Sequence, residues 1–228
     1  MSDERVSAPL SVRRGSAGIL ISVLALAAGA WLITAAQMSG TDMGAMGTGT
    51  ELGSAGHFLP LWITMMAAMM LPGTSVVLFL HPLSDHESRA VPAFLLSYLA
   101  IWAAVGTIAY AAYRPHGTVA AGAIVIAAGL YEFTPLERHC RRQCQQQVHS
   151  GLGYGIVCIG SSIGLMAILL AISPMSIGWM AVITAVIVAK RLLPTSWSID
   201  ISVALAVLGL GVWILAHPTG VPGLVPPM

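Results

Sequence analysis

Apolar residues run along this chain in long blocks separated by short polar breaks. Uninterrupted apolar stretches cover about 17–37, 58–80, 92–113, 119–138, 151–172, 175–193 and 199–217. Each is near the ~20 residues that a helix rising ~1.5 Å per residue needs to cross ~30 Å of hydrocarbon. The pattern predicts an all-α fold, a multi-pass transmembrane helical bundle of about seven spans forming a single membrane domain over 1–228. Two segments fall outside the blocks. Residues 38–56 are rich in glycine and methionine and predict an outer loop, and 218–228 carry four prolines and predict an irregular outer tail. No internal repeat is visible.

Charge orients the bundle. Arg5, Arg13 and Arg14 precede the first block, which places the N-terminus in the cytoplasm under the positive-inside rule. Seven alternating crossings then put Arg89, Arg138, Arg141, Arg142, Lys190 and Arg191 at cytoplasmic ends and leave Arg114 alone outside. A missed or invented span would scatter these residues to both sides. A cleaved signal peptide ending near Thr34-Ala35-Ala36 is the competing reading of the first block, but its uninterrupted length favours an anchor.

Composition narrows the function. The chain is 57% hydrophobic and 8% charged, against about a quarter charged in soluble domains. This excludes an ordinary soluble fold and predicts an integral protein of a plasma (inner) membrane, whose surroundings are the lipid bilayer. The net charge is +1, and the basic residues are scattered, so nucleic acid is not an expected partner. Three cysteines argue against a disulfide framework. No hydrolase elbow, phosphate-binding glycine loop or zinc-protease pair occurs, and enzyme activity is not expected.

The second block contains Trp62-Ile63-Thr64-Met65-Met66-Ala67-Ala68-Met69-Met70-Leu71-Pro72. At 100° per residue, Met65, Met66, Met69 and Met70 fall within an arc of about 140° that also holds Trp62. Thioethers are soft, neutral ligands suited to Cu(I), and they avoid burying an anion in lipid. They are equally good flexible fillers for helix packing. Pro72 withdraws a donor from the carbonyl of Ala68 and predicts a kink.

A second cluster runs from Tyr131 to Cys144. If the helix resumes after Pro135, Cys140 and Cys144 lie one turn apart, with His139 adjacent. Arg138, Arg141 and Arg142 would favour thiolates there. Two free thiols in a basic loop is the alternative. Cys158 lies roughly 10 Å into the fifth block by helix rise, and Glu132 lies at similar depth in the fourth. An intramembrane carboxyl marks a functional site by default, although Glu132 could simply pair with Arg138. A short loop makes the fourth and fifth spans neighbours, so Glu132, Cys140, Cys144 and Cys158 could converge on one pocket. On the outer side, Met38, Asp42, Met43, Met46 and His57 are candidate capture ligands. The inner loop from His81 to Glu87 carries ligand types but reads as a solvated turn.

At these residues the chain resembles a domain family of predicted metal-binding integral membrane proteins, over roughly residues 58–192. Three motifs carry the resemblance. Trp62 to Pro72 is similar to an aromatic residue followed by paired methionines and a proline. Tyr131 to Cys144 is similar to tyrosine, a polar residue, threonine-proline-leucine, a basic residue and two cysteines. Gly155 to Met166 is similar to glycine, then cysteine-x-glycine-cysteine-cysteine-tryptophan, then leucine-methionine. The chain departs from the pattern at Glu137, where the family has a basic residue. It also departs at Tyr154, where histidine is common, and at Ser161 and Ser162, where paired cysteines stand. The resemblance implies metal binding.

Together these features favour handling of a soft transition metal, copper as Cu(I), by transport, delivery or homeostasis. The expected relay runs from Met43 and Met46 through Met65, Met66, Met69 and Met70 to Cys158, Cys140 and Cys144. One alternative is a non-catalytic subunit or assembly factor in a membrane-protein complex or homo-oligomer, using Gly122, Ala123, Ala127, Ala128 and Gly129 for close helix approach. Another is a copper-containing membrane oxidoreductase subunit.

Overall fold

A computed structural model of the chain describes residues 10–40, 54–80, 90–113, 117–146, 150–172, 176–193 and 197–217. Within them the chain forms eight helices and no strand: α1 Leu10–Gly40, α2 Ala55–Leu80, α3 Val91–Ala112, α4 Thr118–Glu132, α5 Pro135–Gln146, α6 Gly151–Ile172, α7 Ile177–Leu192 and α8 Trp197–Ala216. By length and composition, four described helices could cross a membrane, within Ala17–Met38, Ala55–Phe79, Val91–Ala112 and Gly151–Ile172. The bent pair α4–α5 would make a fifth, and Asp200–Ala216 is a shorter apolar helix.

The fourth apolar block does not continue to 138. Helix α4 ends at Glu132 and α5 leaves at 66° to it. Pro135 disfavours helical conformation at Thr134, because its ring crowds the preceding residue. The amides of Phe133 and Thr134 close the last turn of α4 on Leu130 O and Tyr131 O, at 3.2 and 2.9 Å. The Thr134 hydroxyl accepts from the Glu137 amide at 3.3 Å, a side-chain cap that starts α5. Helix α5, with sequence PLERHCRRQCQQ, is too polar to lie in hydrocarbon.

Helix α2 is the hub. It passes through Pro60 and Pro72 as one helix and packs against α1, α3 and α7. Helix α6 packs against α3, α4 and α5, and α8 lies along α4. The buried core joins Phe58, Trp62, the α2 methionines, Tyr98, Trp102, Tyr154 and Cys158. Large apolar side chains such as Ile21, Leu32, Leu96, Ile108 and Val119 are exposed around the outside. On this many helices, such a surface suits lipid rather than water.

Missing Cβ atoms set two close approaches. Trp62 lies flat against Gly106, where a Cβ would stand 2.3 Å from Trp62 Cδ1, and its indole N–H donates to Trp102 O at 2.9 Å. Gly122 and Gly129 of α4 face Leu215 and Leu208 of α8, and Gly211 faces Ile126. Ala128 is buried, whereas Ala123 and Ala127 are exposed. At Gly211 a Cβ would sit 2.7 Å from Ile126 Cγ1 and 3.1 Å from the Ile126 amide nitrogen, and the backbone cannot yield as a side chain can. Gly211→Leu should therefore destabilise the protein by about 1–3 kcal/mol. Thermal unfolding in detergent would read this as a lower midpoint, and an unchanged midpoint would mean that α8 is not docked as described.

Candidate functional site

The four methionines of α2 point inward. Met65 is 3% exposed and Met66, Met69 and Met70 are fully buried. Met66, Met69, Met70 and Gly73 recur at three- and four-residue intervals, so they form one face, and Gly73 is the next step along it. At Gly73 a Cβ would stand 2.5 Å from Arg191 Cδ, so the Arg191 side chain of α7 lies across one end of the methionine face.

From there Arg191 reaches two groups on α6. Its guanidinium donates to the Tyr154 hydroxyl and to the Cys158 sulfur, with its carbon 5.5 Å from the Tyr154 ring centroid. Cys158 is fully buried and also hydrogen-bonds the Tyr98 hydroxyl of α3 at 3.1 Å. Three helices therefore meet at this sulfur atom, and Cys144 of α5 is buried in the same core, facing a cavity that Arg191 also lines. The Tyr98 and Tyr154 rings, 5.5 Å apart, wall the Cys158 sulfur from the rest of the core. A small cavity of about 10 Å³, with room for roughly one water-sized occupant, opens beside Cys144 and is lined also by Ser161, Ser162 and Arg191.

Helix α5 is held in place to deliver Cys144. The last carbonyls of α7 have no partner within that helix. Arg141 Nε donates to Lys190 O at 2.9 Å, and Gln145 Nε2 donates to Lys190 O and Leu193 O, both at 3.1 Å. Arg141 also pairs with buried Asp200 of α8, and Arg138 lies 3.6 Å from the same carboxylate. Lys190 bridges Glu132 of α4 and Glu137 of α5, the latter at 2.6 Å. These side chains tie α4, α5, α7 and α8 together in one buried layer.

Several expectations change accordingly. Lys190 and Arg191 are buried, 4% and 7% exposed, rather than lying at a solvated rim. Glu132 pairs with Lys190, a partner on α7 that the sequence did not suggest. Of the four groups expected to converge, Cys144 and Cys158 do. Cys140 instead lies against Gly160, where a Cβ would stand 2.5 Å from its sulfur. The neighbouring arginines do not draw the α5 thiols toward thiolate, because Arg138 and Arg141 are spent on Asp200 and on carbonyls. Burial and then the Glu137 carboxylate push the Cys140 thiol up. The hydrogen bond to Cys158 and then burial push Cys144 well up.

His139 is exposed on the outer face of α5. His57 is exposed on the first turn of α2, its Nδ1 3.5 Å from the Ser54 hydroxyl. Met43, Met46, Asp42 and the loop from His81 to Glu87 lie outside the described residues. Among the described residues, no three His, Cys, Asp or Glu side chains group as a metal cage. The donor set is sulfur: two thiols, and thioethers that include buried Met166 of α6 and Met180 of α7 in the same core. Two or three soft sulfurs suit Cu(I), whereas hard oxygen-seeking ions would find little here.

A family model described as a copper chaperone, PpoB2, matches residues 59–214. The chain belongs to this family. The match takes in the methionine face, the Tyr131–Cys144 segment, Cys158 and Arg191, so the chemistry above lies within the PpoB2 region. Neither the curated proteins nor the solved structures include a significant match to the chain.

Sequence reasoning passed over Tyr98, Arg191, Met166 and Met180. Met166 stood in a quoted motif two turns from Cys158. For Arg191 the signal was there but pointed elsewhere, since a Lys-Arg pair ending an apolar block is what the positive-inside rule predicts. The buried layer makes a sharp prediction for this PpoB2-family protein. Lys190→Met alone leaves two buried carboxylates unmatched and should cost about 3–5 kcal/mol, whereas adding Glu132→Gln and Glu137→Gln should recover most of it. Unfolding midpoints of the single and triple variants would decide. Equal losses in both would mean that the three charges do not act as a set.

Proposed function

We propose that this PpoB2-family protein is an integral membrane protein that carries Cu(I) across or within the bilayer and presents it at its inner end. The chain crosses seven times with its N-terminus in the cytoplasm: α1, α2, α3, α4, α6, α7 and α8 span, and α5 lies at the cytoplasmic surface. What supports the orientation is the nine-to-one distribution of basic residues.

One observation carries the copper reading. The buried thioether face of α2 ends at Gly73, where Arg191 lies, and Arg191 is bonded to the Cys158 sulfur and shares a small cavity with Cys144. Neutral thioethers let a monovalent ion move through hydrocarbon without a buried anion, and thiols hold it more firmly at the end. Met65, Met66, Met69 and Met70 serve as transit ligands, with Cys144 and Cys158 as the receiving pair. Cys140 and His139, nearer the surface of α5, are next in line for release, and Met43, Met46 and His57 are the outer capture groups. Glu132 holds Lys190 and stands apart from the metal path. The glycines that motivated a scaffolding role are occupied by α8 of the same chain.

The double variant Cys144→Ser/Cys158→Ser should bind Cu(I) at least about tenfold more weakly, the minimum seen when even an outer hydrogen-bond partner of a ligand is lost. Met66→Leu with Met70→Leu should lower cellular copper retention while leaving fold and expression intact. Competition with a Cu(I) chelator and elemental analysis of cells measure the two effects. Unchanged affinity, copper content and tolerance would sink the relay.

A further inference from the structure

We propose that Arg191 makes the Cys144–Cys158 pair selective for monovalent soft cations over divalent ones, an inference that rests on the copper reading above. Each of the three buried carboxylates meets a cation: Lys190 meets Glu132 and Glu137, and Arg141 and the partly exposed Arg138 meet Asp200. Arg191 is a further buried cation, and among the described residues no ion pair joins it to a carboxylate. Its N–H groups go to the Tyr154 hydroxyl and the Cys158 sulfur.

A guanidinium cannot shed its proton in a protein, so this buried charge is permanent. Leaving it unmatched is costly. When both thiols ligate, they do so as thiolates. A monovalent ion between two thiolates leaves one negative charge, which Arg191 neutralises. A divalent ion between the same two thiolates leaves none, and Arg191 is stranded beside a neutral complex. A methionine thioether joining as a third ligand is neutral and does not alter the count. Tyr98 contributes a hydrogen bond and no charge. In water both complexes would be solvated, and the difference would shrink with the higher dielectric constant. Burial is what turns the charge into selectivity. Gly73 supplies the room for the arginine, since any Cβ there would overlap its side chain.

The test uses the full-length protein in detergent micelles, with Ag(I) as a redox-stable monovalent probe and Cd(II) as a divalent one. Each is titrated against dithiothreitol, so that the general preference of thiols for silver cancels. The wild-type protein should exceed dithiothreitol in its silver-to-cadmium ratio by on the order of 100-fold. Arg191→Lys should keep most of that excess, and Arg191→Met should bring the ratio close to that of dithiothreitol. A wild-type ratio equal to that of dithiothreitol overturns the proposal even if Arg191→Met fails to fold. So does an undiminished ratio in folded Arg191→Met. If Cys144→Ser/Cys158→Ser binds silver as well as the wild type does, the thiol pair is not the site, and the copper reading falls together with the charge selection.

Discussion

A charge removed from water must meet an opposite charge or a dense set of hydrogen bonds, and the half of this bundle around Lys190 and Arg191 is organised by that requirement. Helix α7 ends in Lys190 and Arg191, and both turn inward. Lys190 can be buried because α4 brings Glu132 and α5 brings Glu137 to it. Arg191 can be buried because α6 brings Tyr154 and Cys158, and because α2 has only a glycine where its side chain passes. Buried ion pairs contribute little net stability against a well-packed apolar alternative, but removing one partner is severe. Their consequence here is geometric, since each cation accepts only the arrangement of neighbouring helices that supplies its partners.

Helix α5 shows how this reaches the chemistry. A twelve-residue polar helix has little apolar surface to bury and would not dock by hydrophobic burial alone. It docks because Arg141 and Gln145 satisfy the orphan carbonyls at the end of α7, and because Arg141 and Glu137 complete ion pairs with Asp200 and Lys190. Docked in that way, it buries Cys144 on a cavity shared with Arg191, which is bonded to Cys158. The placing of the two sulfurs is thus a product of the charged layer, and Arg191 is the buried cation of that layer that has sulfur and hydroxyl partners in place of a carboxylate.

Above that layer the bundle is held by shape. Trp62 fills the space left by Gly106 and spends its N–H on the Trp102 carbonyl, while α4 and α8 approach through Gly122, Gly129 and Gly211. The methionines fill the space between. Flexible, polarisable side chains pack an irregular core and offer soft donors at the same time, so their packing role and a ligand role are compatible.

The helical class and the shared methionine face were legible in the sequence, because both depend on local periodicity, whereas the fourth block, read as continuous to 138, is bent by 66° at Pro135. The motif segments implied metal binding, and the family that the chain belongs to is described as a copper chaperone. Partner choice was not legible. Glu132 finds a lysine 58 positions away, and Cys158 finds Arg191 33 positions away and Tyr98 60 positions back. Of two cysteines one turn apart on α5, Cys144 is buried in the core with Cys158, and Cys140 lies against Gly160. Such pairings follow from which helices adjoin and how each is rotated about its axis. That is decided by close approach at a few glycines and by the need to match buried charge. The sequence by itself determined what kinds of elements form and which soft ligands they carry. Only the tertiary structure decided which of those ligands meet, because ion pairs and hydrogen bonds act over a few ångströms of space regardless of distance along the chain.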